Sequence, residues 1–173
     1  MVRAKPKQLT RLKLLRDDVV HQMERMRVFS ELDLKIASKV SLGLLRKNST
    51  QRHGVTRWTR DGDQITLDTV DLHPVLLEED WTSYASFVMY HELIHAIGFR
   101  SHNTSFRELE SLWPDVHAAK RGLDFTNQMR LKRAQWIWKC PQCTKEFPRQ
   151  KPSRGKYQCR TCGCRLHDVP CRT

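Results

Sequence analysis

The segment His91-Glu92-Leu93-Ile94-His95 places two histidines four residues apart and a glutamate beside the first of them. Residues four apart lie one turn apart on the same face of a helix, so both imidazoles can reach one metal ion. The adjacent glutamate can then accept a proton from a metal-activated water. Apolar residues surround the motif and predict a buried helix from Ser83 to Ile97, with Gly98 ending it.

A catalytic zinc site uses three protein ligands and keeps a fourth position open. His102 is the leading candidate for the third ligand, because the break at Gly98 lets the chain turn back towards the metal. Acidic residues further along the chain are the alternatives, namely Glu108, Glu110 and Asp115. The ligand types favour zinc, although a histidine site can also accept another divalent ion.

The six cysteines all lie in the last part of the chain, between Cys140 and Cys171. Four of them form two C-x2-C pairs separated by fifteen residues, which is the spacing of a zinc ribbon. The pattern therefore predicts a structural zinc bound by Cys140, Cys143, Cys159 and Cys162. Cys164 and Cys171 remain as free thiols or alternative ligands.

The formal net charge of +12 is concentrated near the C-terminus. Residues 118–173 contain fourteen Lys or Arg against three Asp or Glu, whereas residues 31–117 contain nine against thirteen. Solubility alone needs less charge than this, so the basic segment predicts a polyanionic partner such as DNA. The predicted phosphate contacts are Lys139, Lys145, Arg149, Lys151, Arg154, Lys156 and Arg160.

Three aromatic residues of the same segment, Trp136, Trp138 and Tyr157, are available to stack on unpaired bases. The two tryptophans have an alternative role as core anchors between domains. Phosphate contacts and base stacking carry little sequence information, so the expected DNA binding is non-specific and includes single strands.

The longest apolar stretches span only a few residues, which excludes a membrane segment because a bilayer span needs about 20. The basic N-terminus leads into alternating Leu and Lys or Arg and not into the apolar core of a signal peptide. The expected compartment is the cytoplasm, with association to the nucleoid, or the nucleus in a eukaryote.

Hydrophobic periodicity predicts an α+β fold. Residues 1–133 are expected to form a helical domain that carries the histidine motif and has a small antiparallel sheet, and residues 134–173 a zinc ribbon. The predicted helices cover residues 9–26, 33–44, 83–97, 104–113 and 126–138, and the predicted strands cover residues 55–58 and 64–68.

Taken together, these motifs resemble the SprT-like zinc metallopeptidases, whose best-known members, the Spartan proteases, digest proteins crosslinked to DNA. The resemblance rests on the H-E-L-I-H segment, on His102 with Phe106 four residues later, and on the cysteine pairs with Tyr157 just before the second pair. The chain departs from the family at His102-Asn103-Thr104-Ser105, where the family often has His-Gly-Pro-Glu.

The resemblance implies a zincin-like fold and a DNA-repair hydrolase that acts on DNA-bound or crosslinked proteins. It implies a catalytic zinc on His91, His95 and His102, with Glu92 as catalytic base, and a ribbon zinc on the four paired cysteines. The residue that stabilises the oxyanion is not identified, but Arg100 and Tyr84 are near in sequence.

Two other functions remain open on sequence grounds. The chain could be a non-catalytic zinc-ribbon protein that binds nucleic acid, with a structural H-E-x-x-H domain, or a zinc protease of free proteins whose charge serves solubility. Glu92 favours a protease over a structural metal site, because a purely structural zinc has no use for an adjacent base.

Overall fold

The computed structural model describes residues 4–171 and divides the chain into two compact units, Met1–Gly122 and Leu123–Thr173. Within the described residues the N-terminal unit contains helices α1 (Pro6–Met26), α2 (Glu31–Lys39), α3 (Thr82–Ala96) and α4 (Thr104–Ser111), and strands β1 (Ser41–Leu44), β2 (Gly54–Asp61) and β3 (Gln64–Leu72). Helix α5 (Arg121–Lys132) begins at the end of this unit, and the C-terminal unit adds β4 (Trp136–Lys139), β5 (Glu146–Arg149) and β6 (His167–Pro170). The sequence predicted a boundary between the two domains at residue 133, after this helix.

The helix that carries the histidine motif, α3, forms the centre of the N-terminal unit. Its residues Met89, Leu93 and Ile94 are fully buried, and so are Leu12 and Met23 of α1, the helix that packs against α3. Leu12 and Met23 belong to the apolar stripe of α1 that the helical period predicts. This packing holds α3 on the side away from its histidines, and the histidine-bearing side faces the edge of the sheet.

The sequence predicted a small antiparallel sheet of two strands, and the antiparallel pairing of β2 with β3 confirms it, but β1 adds a parallel strand and makes the sheet mixed. Its strand order is β1-β3-β2, with β1 parallel and β2 antiparallel to β3. Strand β2 is therefore an edge strand, and it packs against α3.

The predicted helix over residues 33–44 is too long. A capping box between Ser30 and Asp33 starts α2, but Val40 is extended and β1 follows at once. The reason is tertiary: the backbone of Leu42 to Leu44 pairs with the buried strand β3, and this pairing outweighs the helical period.

The predicted helix over residues 126–138 is also misplaced. Helix α5 ends at Lys132, and Trp136 to Lys139 form the central strand of the C-terminal sheet, whose order is β5-β4-β6. Both partners of β4 run antiparallel to it. None of the helices among residues 4–171 combines the length and apolar character that a bilayer span requires.

Candidate metal centres and active site

Three histidine side chains converge at one point of the N-terminal unit. The Nε2 atom of His102 lies 3.0 Å from that of His95 and 3.1 Å from that of His91. The turn at Gly98, with φ of 120°, reverses the chain after α3, and Asn103 then caps α4 by accepting a hydrogen bond from Phe106 N. His102 is thereby held opposite the two helical histidines.

The hydrogen bonds of the other ring nitrogens show that this cluster suits a cation. His95 Nδ1 lies 2.5 Å from the carbonyl oxygen of Phe99, and His91 Nδ1 lies 2.6 Å from Glu110 Oε1. A carbonyl and a carboxylate accept hydrogen bonds, so each Nδ1 donates and each Nε2 exposes a lone pair. His102 can donate a hydrogen from Nε2 to only one of these two lone pairs, so the second lone pair stays unsatisfied.

A metal ion at the centre of the cluster would satisfy the lone pairs of all three Nε2 atoms. Zinc–nitrogen distances of about 2.0–2.1 Å in a tetrahedral site place neighbouring nitrogens about 3.3–3.4 Å apart, close to the spacing found here. Burial lowers the pKa of His91 to about 4 and also lowers the pKa of His95, which keeps both rings in the neutral form that binds metals.

Phe106 forms the floor beneath the three rings. It is fully buried, and its ring centroid lies 4.9 Å from His91, 4.6 Å from His95 and 4.7 Å from His102. An aromatic side chain in contact with all three imidazoles restricts their rotation and lowers the entropy cost of metal binding.

Glu110, an alternative ligand on sequence grounds, instead orients His91 from the side away from the histidine cluster. Its second oxygen accepts a hydrogen bond of 2.6 Å from Arg107. Burial opposes ionisation of Glu110, but the hydrogen bonds from His91 and Arg107 outweigh it and lower the pKa of the carboxyl. Of the other two acidic alternatives, Glu108 is exposed and Asp115 accepts hydrogen bonds from the backbone N–H groups of His117 and Ala118.

Replacing Glu110 by Gln is expected to weaken metal binding at the histidine site by about 10–100-fold, because the carboxylate that orients a metal-binding histidine also raises its basicity. Competition with a chromophoric chelator measures this affinity in the full chain. The exposed Glu108 on the same helix supplies the control, since Glu108→Gln should leave affinity unchanged. Equal affinities in both variants would contradict the role assigned to Glu110.

Glu92 lies beside the histidines and is almost completely buried, with 5% of its surface exposed. Burial raises its pKa to about 7, although hydrogen bonds from Thr56 oppose the shift. A carboxylate with a pKa near neutrality is well matched to accept and return a proton. Glu92 therefore combines burial beside the histidines with a raised pKa.

The histidines and Glu92 line a cleft of about 390 Å³ next to strand β2. The other walls of the cleft are formed by Gly54, Val55, Thr56, Trp58 and Arg100. The guanidinium of Arg100 lies 4.5 Å from the ring centroid of Trp58, a cation–π contact at the rim. Arg100 therefore lies at the rim of the cleft.

Tyr84 does not line this cleft. Its hydroxyl lies 2.5 Å from His53 Nδ1, and both side chains line an adjoining cavity of about 310 Å³. The sequence provided no signal for Gly54, Thr56 or Trp58, because these residues belong to a strand far from the motif along the chain.

The four paired cysteines form a second convergent group. Sγ of Cys140 lies 3.3 Å from that of Cys162, and Sγ of Cys143 lies 3.5 Å from that of Cys159. All four sulfurs lie within 4.8 Å of one another. A tetrahedral zinc with Zn–S bonds of about 2.3 Å places sulfurs about 3.8 Å apart, so this group can also hold a metal.

The two remaining cysteines lie outside this group. The Cys164 thiol donates a hydrogen bond of 2.7 Å to Gln142 Oε1, and the backbone N–H of Cys171 donates to Gln135 O. All six cysteines are free of disulfide bonds.

The basic residues predicted to bind DNA fall into two sets. Lys139, Lys145 and Arg149 have intramolecular partners: Glu146 Oε1 at 3.1 Å, Thr161 Oγ1 at 2.9 Å and the ring of Trp138 at 5.0 Å respectively. All seven residues are exposed, and the second set consists of Lys151, Arg154, Lys156 and Arg160.

The aromatic residues of this segment partly stack on each other. The ring centroids of Trp138 and Tyr157 lie 4.6 Å apart at 18°, and the indole N–H of Trp138 donates to the Lys151 carbonyl. Tyr157 is nevertheless 52% exposed. It presents an open aromatic face beside the basic loop, the segment that carries the exposed residues Lys151, Arg154 and Lys156.

Comparisons of the chain with known protein families, with curated proteins and with solved structures found no match. The two metal-ligand groups and the cleft beside Glu92 are therefore the observations on which a function can be argued.

Proposed function

We propose that this protein is a zinc-dependent endopeptidase of the SprT-like type, with a zincin-like N-terminal domain and a C-terminal zinc ribbon. The observation that carries the proposal is the convergence of three imidazole Nε2 atoms next to a buried glutamate at the wall of an open cleft. A structural metal site needs neither the cleft nor the glutamate.

His91, His95 and His102 would hold the catalytic ion. When bound, zinc supplies Lewis acidity, which polarises the scissile carbonyl and lowers the pKa of water to about 7. Glu92 accepts the proton of the attacking water and returns it to the leaving amine, so that the peptide bond breaks with no net gain or loss of protons. Arg100, at the rim of the cleft, is placed to stabilise negative charge that develops on the substrate.

The proposed substrates are proteins bound or crosslinked to DNA. The support is the exposed basic loop of the C-terminal unit, which presents Lys151, Arg154 and Lys156 beside the open face of Tyr157. Binding of the loop to phosphates would raise the local concentration of DNA-bound proteins around the protease unit. The wild type is therefore expected to cleave a protein crosslinked to single-stranded DNA faster than the same protein free in solution.

Replacing Lys151, Arg154 and Lys156 together by Ala is expected to weaken DNA binding and to lower the slope of log affinity against log salt by about 2, since each lost contact to single-stranded DNA removes about 0.7. The matched control replaces Lys13, Lys35 and Lys47, which are exposed lysines of the other unit, by Ala. Equal losses of DNA affinity in the two triple variants would contradict a role of the loop in DNA binding.

Equal cleavage of the free and the crosslinked substrate by the wild type would contradict a role of DNA in cleavage. If neither substrate were cleaved, the proposed peptidase function would be refuted.

A further inference from the structure

The first residues of the edge strand β2 contact Glu92. The Thr56 hydroxyl lies 2.8 Å from the carboxylate oxygen Oε2 of Glu92 and also 2.8 Å from its backbone carbonyl oxygen. One side chain thus contacts both the backbone and the reactive end of Glu92. The Thr56 side chain thereby connects the edge of the sheet to α3, the helix that carries two of the three proposed histidine ligands.

Gly54 makes room for this arrangement. A Cβ atom at position 54 would lie 2.7 Å from both Cγ and Oε1 of Glu92 and 2.9 Å from Cγ1 of Val88. Such distances are far inside van der Waals contact, so any larger residue would displace the glutamate or the strand. The strand therefore restricts the position of the Glu92 side chain in two ways, by steric contact at Gly54 and by the hydrogen bond from Thr56.

A hydroxyl has a particular advantage here because it can rotate to donate its hydrogen to either of two nearby acceptors. The carboxylate oxygen Oε2 and the backbone carbonyl oxygen of Glu92 are these two acceptors, both at 2.8 Å. Valine has the shape of threonine without this capacity, whereas serine retains it.

We propose that Thr56 is a positioning residue for the general base, whose carboxylate it holds at the cleft by a hydrogen bond, and that Gly54 provides the space for this contact. The inference rests on the proposed peptidase function. Thr56 acts through Glu92 and need not touch the substrate, so its loss changes the chemical step more than substrate binding.

The test compares Thr56→Val with Thr56→Ser in the full chain, using steady-state cleavage of a protein substrate. Loss of a hydrogen bond to a charged group predicts that kcat falls by about 10–100-fold in Thr56→Val, with KM changed less than about twofold. Thr56→Ser should keep kcat within about threefold of the wild type. Metal content should stay at two ions per chain in both variants, and Gly54→Ala should lose at least as much kcat as Thr56→Val.

Thr59 supplies a matched control, because it lies on the same strand and is exposed, and its hydroxyl pairs with Thr66 and not with the site. Thr59→Val should cleave like the wild type. Wild-type kcat in Thr56→Val would overturn the inference, and so would an equal loss in Thr56→Ser, which would indicate a packing role. An inactive wild type would instead refute the proposed function itself.

Discussion

Replacing Cys159 by Ser is expected to remove one metal ion per chain and to unfold the sheet of the C-terminal unit. Beyond the cysteines, the buried cluster around this site is small: Leu166 is buried, and Trp138 and Phe147 are partly buried against it. A unit with so few buried side chains depends on its metal, and structural zinc supplies roughly 10–16 kcal/mol in such domains. The variant should therefore lose the amide hydrogen-exchange protection of β4, β5 and β6.

The helices of the N-terminal unit provide the internal reference for this experiment, because α1 and α3 should stay protected. Cys171→Ser is the matched control, since Cys171 lies outside the four-sulfur group and its substitution should change neither metal content nor protection. If β4–β6 remained protected in Cys159→Ser with one metal fewer, the ribbon would not depend on the metal.

The sequence was sufficient to predict the elements whose pattern is local. The stripe of α1 repeats with the helical period, and α3 has a motif, a buried surface and a terminating glycine within one short segment. The two groups of side chains that could hold a metal were predictable for the same reason, because ligand chemistry imposes fixed spacings within each pair of histidines or cysteines.

Elements that depend on distant partners could not be predicted in this way. Ser41 to Leu44 form a strand because β3 lies beside them, and the segment by itself continues the period of α2. Trp136 to Lys139 form a strand because β5 and β6 flank them, although they follow directly after a helical pattern. In both places, pairing across the fold outweighed local propensity.

The surroundings of Glu92 were hidden for the same physical reason. Thr56 precedes Glu92 by 36 residues, and neither Thr56 nor Gly54 belongs to a motif. Both residues lie at the site because the edge strand β2 packs on α3. The orienting role of Glu110 is similar: the sequence suggested an acidic residue near the site but could not separate a metal ligand from a partner of His91.

Replacing Glu92 by Gln is expected to reduce cleavage of a DNA-crosslinked protein by about 10²–10⁴-fold, the contribution usual for a general base. Glutamine has nearly the shape of glutamate and can keep a hydrogen bond to Thr56, but it cannot accept the proton from water. Because Glu92 is not among the side chains that converge on either metal centre, the variant should retain both metals.

Cleavage by the wild type and by Glu92→Gln, measured side by side at equal metal content, tests the central proposal most directly. We predict rapid cleavage by the wild type and a loss of at least about 100-fold in the variant, with two metal ions per chain in each. Equal cleavage by the two proteins would contradict the proposed mechanism.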